Sequence, residues 1–461
     1  MNDTEAAHRA GENRYPHPAY GWYVVVVLTL GYVVSFLDRQ IFALLIEPIR
    51  ADLALSDTQV SLVGGLAFAL FYTVLGIPIG RLVDRRSRRA IIAWGVTIWC
   101  FMTAACGLAR NYWQLFLARV GVGVGEATLN PSALSLISDY FPRRKRGRAI
   151  SFYTMGVSLG VGIANIVGAW AIAFATDAPA LVLPVVGELR PWQMVFLFVG
   201  LPGLVVAALM ATVREPARRD RIRMETPDGT TSEELPVAAT LRFLGQRWKT
   251  YATHFLGMSV VTVIGYAFFF WIPTMFVRSW DWSIPQAGYA YGLVTLIFGP
   301  IGVNFGGWAA DWLYARGYKD GLMRTCLVTA VAVFVPASIL APLMPGPTLA
   351  LALLIPATFG GAIITATGSA ALMMITPNQM RGQITAIYYF VINALGLTLG
   401  PTAVALVTDY GFGDAASLRY SIAVVSSAAG VAALGFLGAN LSLYRAGVIE
   451  AEEWSDETAD R

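Results

Sequence analysis

Gly80-Arg-Leu-Val-Asp84-Arg-Arg-Ser-Arg-Arg89 links two long apolar stretches, Val60–Val83 and Ala90–Ala109. A shorter counterpart, Gly307-Trp-Ala-Ala-Asp311-Trp, lies at the end of the apolar stretch Ala287–Tyr314 and ahead of Met323–Leu343. In both places a glycine is followed four residues later by an aspartate, between the second and third apolar stretches of one half of the chain. Recurrence at matched positions indicates an internal repeat.

Working outward, the first half carries apolar segments at Tyr20–Leu45, Val60–Val83, Ala90–Ala109, Trp113–Tyr140, Ala149–Ala175 and Trp192–Val213. The second carries Tyr251–Val277, Ala287–Tyr314, Met323–Leu343, Thr348–Ile375, Ile384–Thr408 and Leu418–Tyr444. Each suffices to cross ~30 Å of hydrocarbon as a helix. Backbone groups left unpaired in lipid are too costly for any other open structure, and the short alternating strands of a barrel are not seen. The chain therefore reads as an all-α membrane protein of twelve transmembrane helices in two pseudo-symmetric six-helix bundles. Its parts are an N-terminal tail (1–19), a first bundle (20–213), a linker (214–250), a second bundle (251–444) and a C-terminal tail (445–461).

Composition agrees. Of 461 residues, 56% are hydrophobic and 13% charged, about half the charge of a soluble domain. The net charge of +4 is carried by arginines clustered at helix ends, which does not fit nucleic-acid binding. The stretch Arg81–Arg89 holds five Arg and one Asp, and Arg143–Arg148 holds four Arg and one Lys. Basic loops stay on the cytoplasmic side, so both termini are expected there, in a multi-pass protein of a bacterial-type inner membrane. No signal peptide is expected. Cys100, Cys106 and Cys326 all fall in apolar stretches and imply neither a disulfide framework nor a metal site.

The loop Gly80–Arg89 resembles the loop 2–3 signature of the major facilitator superfamily, with Ser87 where glycine is usual. Arg119-Val-Gly-Val-Gly-Val-Gly125 resembles that family's fourth-span signature. Phe36-Leu-Asp38-Arg39, Gly125-Glu126-Ala127 and Asp139-Tyr-Phe141 narrow the resemblance to the spinster branch. There Asn130-Pro131-Ser132 replaces the usual Ala-Pro region. The resemblance implies the major facilitator fold and export of lysophospholipids or sphingosine-1-phosphate.

Charges inside spans cost about 2.5–3.5 kcal/mol each and mark function. Asp38 and Arg39 lie in span one, Arg119 and Glu126 in span four. The last two are seven residues apart, on one helix face and about 10 Å apart in rise. Glu126 and Asp38 are the expected proton-exchanging groups, Glu126 the preferred carrier, with Arg119 as the anion site. Arg39, toward the outer end of its span, reads equally well as an interfacial side chain. A static ion pair between spans one and four is the plain structural alternative.

Asp84, with Arg85, Arg88 and the repeat-related Asp311, is expected to gate the cytoplasmic face. The second bundle is nearly free of embedded charge. Thr367, Tyr388 and Asn393 are its candidate polar contacts, and Phe268 and Trp271 its apolar ones. One charged wall against one apolar wall suits a substrate with an anionic head and an alkyl tail. His254 reads as an interfacial or satisfied histidine.

The expected activity is proton-coupled secondary transport of an amphipathic anionic lipid. The alternatives are symport of small organic anions and, in another class, a non-transporting receptor or scaffold. No nucleotide loop, metal cluster or nucleophile constellation is found, so neither a cofactor nor an enzyme is expected. Besides the substrate, the partners are membrane lipids, and the protein is expected to act as a monomer.

Overall fold

A computed structural model describes residues 15–179, 181–183, 187–218, 224–225, 231–232, 237–377 and 379–459. Among these, eleven helical stretches are long and apolar enough to cross a membrane. Span four is the twelfth. It falls short because it is two helices, Tyr112–Glu126 and Leu129–Tyr140. Pro131 has no N–H to give to the carbonyl of Ala127, so the ladder breaks there, and the Thr128 hydroxyl donates to the Gly125 carbonyl at 2.8 Å.

The remaining spans of the first half are one (Pro18–Leu44), two (57–85, with a π-turn at Leu62–Leu66), three (Arg88–Cys106), five (Arg143–Asp177) and six (Pro191–Thr212). Those of the second are seven (Trp248–Trp280), eight (Ile284–Ala315), nine (Gly321–Leu343), ten (Pro347–Met374), eleven (Arg381–Phe412) and twelve (Leu418–Ala459). Most ends fall within a few residues of those expected, but span twelve runs well past Tyr444.

Two antiparallel hairpins lie outside the spans, Leu181–Leu183 with Gly187–Leu189 and Met224–Glu225 with Thr231–Ser232. The linker contains a helix, Val237–Gln246. Its residues 226–230 and 233–236, like residues 1–14, lie outside the described residues.

The repeat shows in the packing. Span one packs on five as seven packs on eleven, two on four as eight on ten, and three on six as nine on twelve. The two bundles then meet through five against eight, one against seven, and two against eleven.

These contacts concentrate at the end of the molecule away from the termini, here called the far end. A Cβ added to Gly65 would meet the Leu397 carbonyl at 2.7 Å. One on Gly162 would meet Leu296 at 2.6 Å, and one on Gly292 would meet Asn165 at 2.9 Å. At the other end, which carries the arginine-rich loops and is called the basic end, a Cβ on Gly76, Gly80, Gly307 or Gly382 would meet nothing within 4 Å. The bundles are thus closed on each other at the far end and stand apart at the basic end.

Overpacking a close contact costs about 1–3 kcal/mol. Gly65→Val is therefore expected to shift the far end from closed to open by at least about tenfold, equivalent to ~1.4 kcal/mol. Spin labels on the exposed far-end positions Asn111 and Thr348 read this shift as a population at longer distance. An unchanged distance distribution contradicts it.

Candidate transport site

Spans one and four bring four charged side chains together in the centre of the first bundle, all essentially shielded from solvent. Arg39 does not reach the interface. Its Nε and Nη2 donate to one oxygen of Glu126 at 2.8 and 2.6 Å. Its guanidinium also lies over the rings of Phe36, Phe68 and Tyr72, at 5.2, 4.5 and 4.9 Å from their centroids. Depth is the correction here: an arginine this far from water is held by a carboxylate and three aromatic faces.

The partners also differ from the seven-residue spacing. Arg119 does not pair with Glu126. Its Nη1 makes a long hydrogen bond, 3.4 Å, to the backbone carbonyl of Asp38, and its guanidinium lies over Phe42 at 4.9 Å and Phe68 at 5.7 Å. Neither oxygen of the fully buried Asp38 carboxyl has a hydrogen-bond partner, and the second oxygen of Glu126 and Nε of Arg119 have none either. The set is thus one closed pair, Arg39–Glu126, beside one open acid and one open base, Asp38 and Arg119. Arg39 and Arg119 line a cavity of about 20 Å³ with Phe68 of span two, Tyr266 and Phe270 of span seven and Leu397 of span eleven. That is room for about one water, at the seam between the bundles.

Sequence reasoning missed several polar neighbours. Asn130 joins the hydroxyls of Tyr32, Tyr72 and Tyr153. Gln40 donates to Asn165 at 3.0 Å and to the Phe269 carbonyl at 3.3 Å, tying spans one, five and seven. The signal was available, since amides embedded in apolar spans are themselves unusual.

In the second bundle, Asn393 accepts from the hydroxyl of the cavity-lining Tyr266 at 3.1 Å. The other four candidates are turned away from the seam. Thr367 is buried against Cys326 and its own helix. Tyr388 packs inside the bundle against His254 and Phe255. Trp271 is fully buried, its indole N–H donating to the Pro401 carbonyl at 2.9 Å, and Phe268 is buried as well. The apolar wall at the seam is made by Phe269, Phe270, Leu397 and Pro401 instead. His254 is not interfacial: it is fully buried within the second bundle.

Of the expected gate residues, Arg85, Arg88 and Asp311 make no contact between the bundles in this state. Arg85 and Asp311 are exposed, and the side chain of Asp84 lies outside what the structure describes. Arg88 is buried within the first bundle, bonded to Asp139 of span four and, at 2.7 Å, to Glu215 just after span six. Burial alone would raise the Glu215 carboxyl. Hydrogen bonds from Arg88, the Arg89 N–H and Ser87 outweigh it and hold Glu215 below the ordinary carboxylate value.

The side chains that do bridge the bundles lie at the far end. Arg278 of span seven donates to both oxygens of the fully buried Asp57 at 2.6 and 2.7 Å, and to Glu47 at 2.6 Å. Asp409 of span eleven accepts from the N–H and hydroxyl of Thr58, each at 2.7 Å.

Two six-helix bundles closed at one end around embedded charges have the architecture of a membrane transporter. Residues 28–401 match the Major Facilitator Superfamily model, and the chain belongs to that family. Its family and fold are those of transporters, which sets aside the receptor and enzyme readings.

Among solved structures it is similar to a bacterial homologue of the human lysosomal transporter Spinster in an inward-facing, unoccupied conformation. The identity is 27%, with 95% of this chain and 99% of that chain covered and a TM-score of 0.75. Among characterised sequences it is 27% identical to an MFS-type efflux pump of Mycolicibacterium smegmatis, over 88% of this chain and 87% of the pump. It is 24% identical to the hexuronate transporter of Bacillus subtilis, over 88% of this chain and 93% of that protein.

Two measurements check the electrostatics. Arg39→Leu strands the Glu126 carboxylate and is expected to cost about 3–5 kcal/mol in thermal stability, most of it recovered in Arg39→Leu/Glu126→Leu. Equal losses in the two variants contradict the pairing. The depressed Glu215 carboxyl stabilises the fold above pH ~4.3, and its contribution is lost as pH falls through the lower folded-state value. The melting temperature is therefore expected to drop on acidification below about pH 4. Glu215→Gln lowers the neutral-pH value and flattens that drop.

Proposed function

We propose that this chain is a proton-coupled secondary transporter of an amphipathic organic anion, of the lysophospholipid or sphingosine-1-phosphate type. One observation carries the reading: Arg119 reaches the seam between the bundles outside any closed ion pair, facing a wall of Phe269, Phe270, Leu397 and Pro401. A buried guanidinium that no carboxylate clasps directly is a site for an anionic head, and the apolar wall suits an alkyl chain.

Asp38 is the coupling carboxyl. Glu126 is held by Arg39, whereas Asp38 has no partner and is free to gain or lose a proton as access alternates. An anion arriving at Arg119 competes with Asp38 for the same positive charge, so occupancy by substrate and by proton favour each other. The basic end is the cytoplasmic end by its arginine-rich loops, which makes the present state inward-facing. The Arg278–Asp57 and Asp409–Thr58 contacts form the outer gate and break when the cavity turns outward. A membrane potential adds about 2.3 kcal/mol per charge moved per 100 mV.

A second reading, symport of small organic acids, is favoured by the likeness to the hexuronate transporter and by the hydroxyl-rich side chains beside Arg39.

Purified protein in proteoliposomes, given labelled lysophosphatidate or labelled hexuronate with and without a pH gradient, separates the two. The lipid reading expects gradient-stimulated movement of lysophosphatidate that falls by at least about tenfold in Arg119→Gln, the size of a lost charged contact of ~1.4 kcal/mol. Gradient-stimulated uptake of hexuronate alone supports the second reading. Transport of either anion at an unchanged rate in Arg119→Gln contradicts the anion site.

A further inference from the structure

Asn130 sits just beyond the break in span four, where its side chain meets three phenols. Its amide nitrogen donates to the hydroxyl oxygens of Tyr32 at 3.4 Å and Tyr72 at 3.2 Å, and its amide oxygen accepts from Tyr153 at 2.6 Å. Proton bookkeeping fixes what is left over. Both amide hydrogens are spent on Tyr32 and Tyr72, so each of those oxygens is an acceptor toward Asn130 and must point its own O–H elsewhere. Neither O–H finds an acceptor among the described residues. Tyr153, which does donate inward, is fully buried, while Tyr32 and Tyr72 are half-buried.

The rings are fixed as firmly as the hydroxyls. Tyr32 stacks on Tyr153 at 4.9 Å and 10°, and Tyr72 stacks on Phe68 at 5.3 Å and 20°. The Tyr72 ring is one of the three beneath the Arg39 guanidinium, and Phe68 lines the cavity between Arg39 and Arg119. Across that cavity, Tyr266 of the second bundle spends its own O–H on Asn393. Among the described residues, the phenol donors left free around this charged centre are therefore the two that Asn130 aims.

We infer that Asn130, Tyr32 and Tyr72 form a subsite that reads oxygen atoms close to the substrate's charged group, and so select a hydroxylated anion over an unsubstituted one. This rests on the proposed function and sharpens it. Arg119 takes the charge, and the Tyr32 and Tyr72 hydroxyls donate to a hydroxyl or ester oxygen a few bonds away. Asn130 touches no substrate and acts as the positioning residue. A hydroxylated lysolipid head and a sugar acid share this chemistry, and the assay tells them apart.

The experiment measures pH-gradient-driven uptake by the full chain in proteoliposomes of two matched pairs: 1-oleoyl lysophosphatidate against oleyl phosphate, and D-gluconate against hexanoate. Sites built to bond a substrate hydroxyl reject the analogue lacking it, so the wild-type protein is expected to prefer the hydroxylated member of one pair by at least about tenfold. The pair that shows the preference identifies the source. Tyr72→Phe and Tyr32→Phe keep the stacked rings and lose only the donors. Each is expected to bring the ratio toward one without removing the response to pH, and Asn130→Leu is expected to do the same. Wild-type uptake that is gradient-driven but equal within both pairs overturns the subsite and leaves the transport reading standing, as does a preference that survives in all three variants. No gradient-driven uptake of any of the four anions overturns both.

Discussion

The Arg39–Glu126 pair is the constraint on which the rest of the charged centre depends. Two opposite charges inside a membrane span are costly apart and tolerable together. Their union binds span one to span four and takes the most obvious acid out of circulation. It also sorts the remaining charges by default. With Arg39 spoken for, Arg119 rests on a backbone carbonyl and two aromatic faces, and no ion pair closes on the Asp38 carboxyl. An open acid beside an open base is an unstable arrangement to leave alone and a useful one to fill with a proton and an anion.

The same economy governs the two ends of the molecule. At the far end, glycines let the bundles touch, and Arg278 closes them over Asp57 and Glu47. At the basic end, the ion pairs among the described residues close within each bundle. Arg88 is bound to Asp139 and Glu215 in the first, and Asp320 is bound by Arg324 and Arg445 in the second. These clasps stiffen each bundle as a body without joining the two, which is what a rocking pair of rigid halves requires.

The architecture was legible because it rests on quantities that composition carries directly: span length, charge at span ends and the spacing of a repeated Gly-x-x-x-Asp. The embedded charges were legible for the same reason. Their pairing was not, because the partner of Glu126 depends on how far span one is rotated and how deep Arg39 lies, and neither follows from one-dimensional spacing. Helix rotation also explains the second bundle. Phe268 and Trp271 are buried inside it, while Phe269 and Phe270 line the seam, one residue and about 100° of helix away. Arg88, expected at the cytoplasmic gate, turns inward in this state, since Glu215 from the segment after span six arrives at its side. That contact joins positions 127 residues apart, which no local pattern encodes.

The central claim is that Asp38 couples proton movement to substrate movement while Arg119 holds the anion. The most direct test takes Asp38→Asn protein in proteoliposomes and compares counterflow exchange of the transported anion with its accumulation against a pH gradient. The account predicts that exchange persists while gradient-driven accumulation disappears. Accumulation that continues at the wild-type level in Asp38→Asn would contradict it.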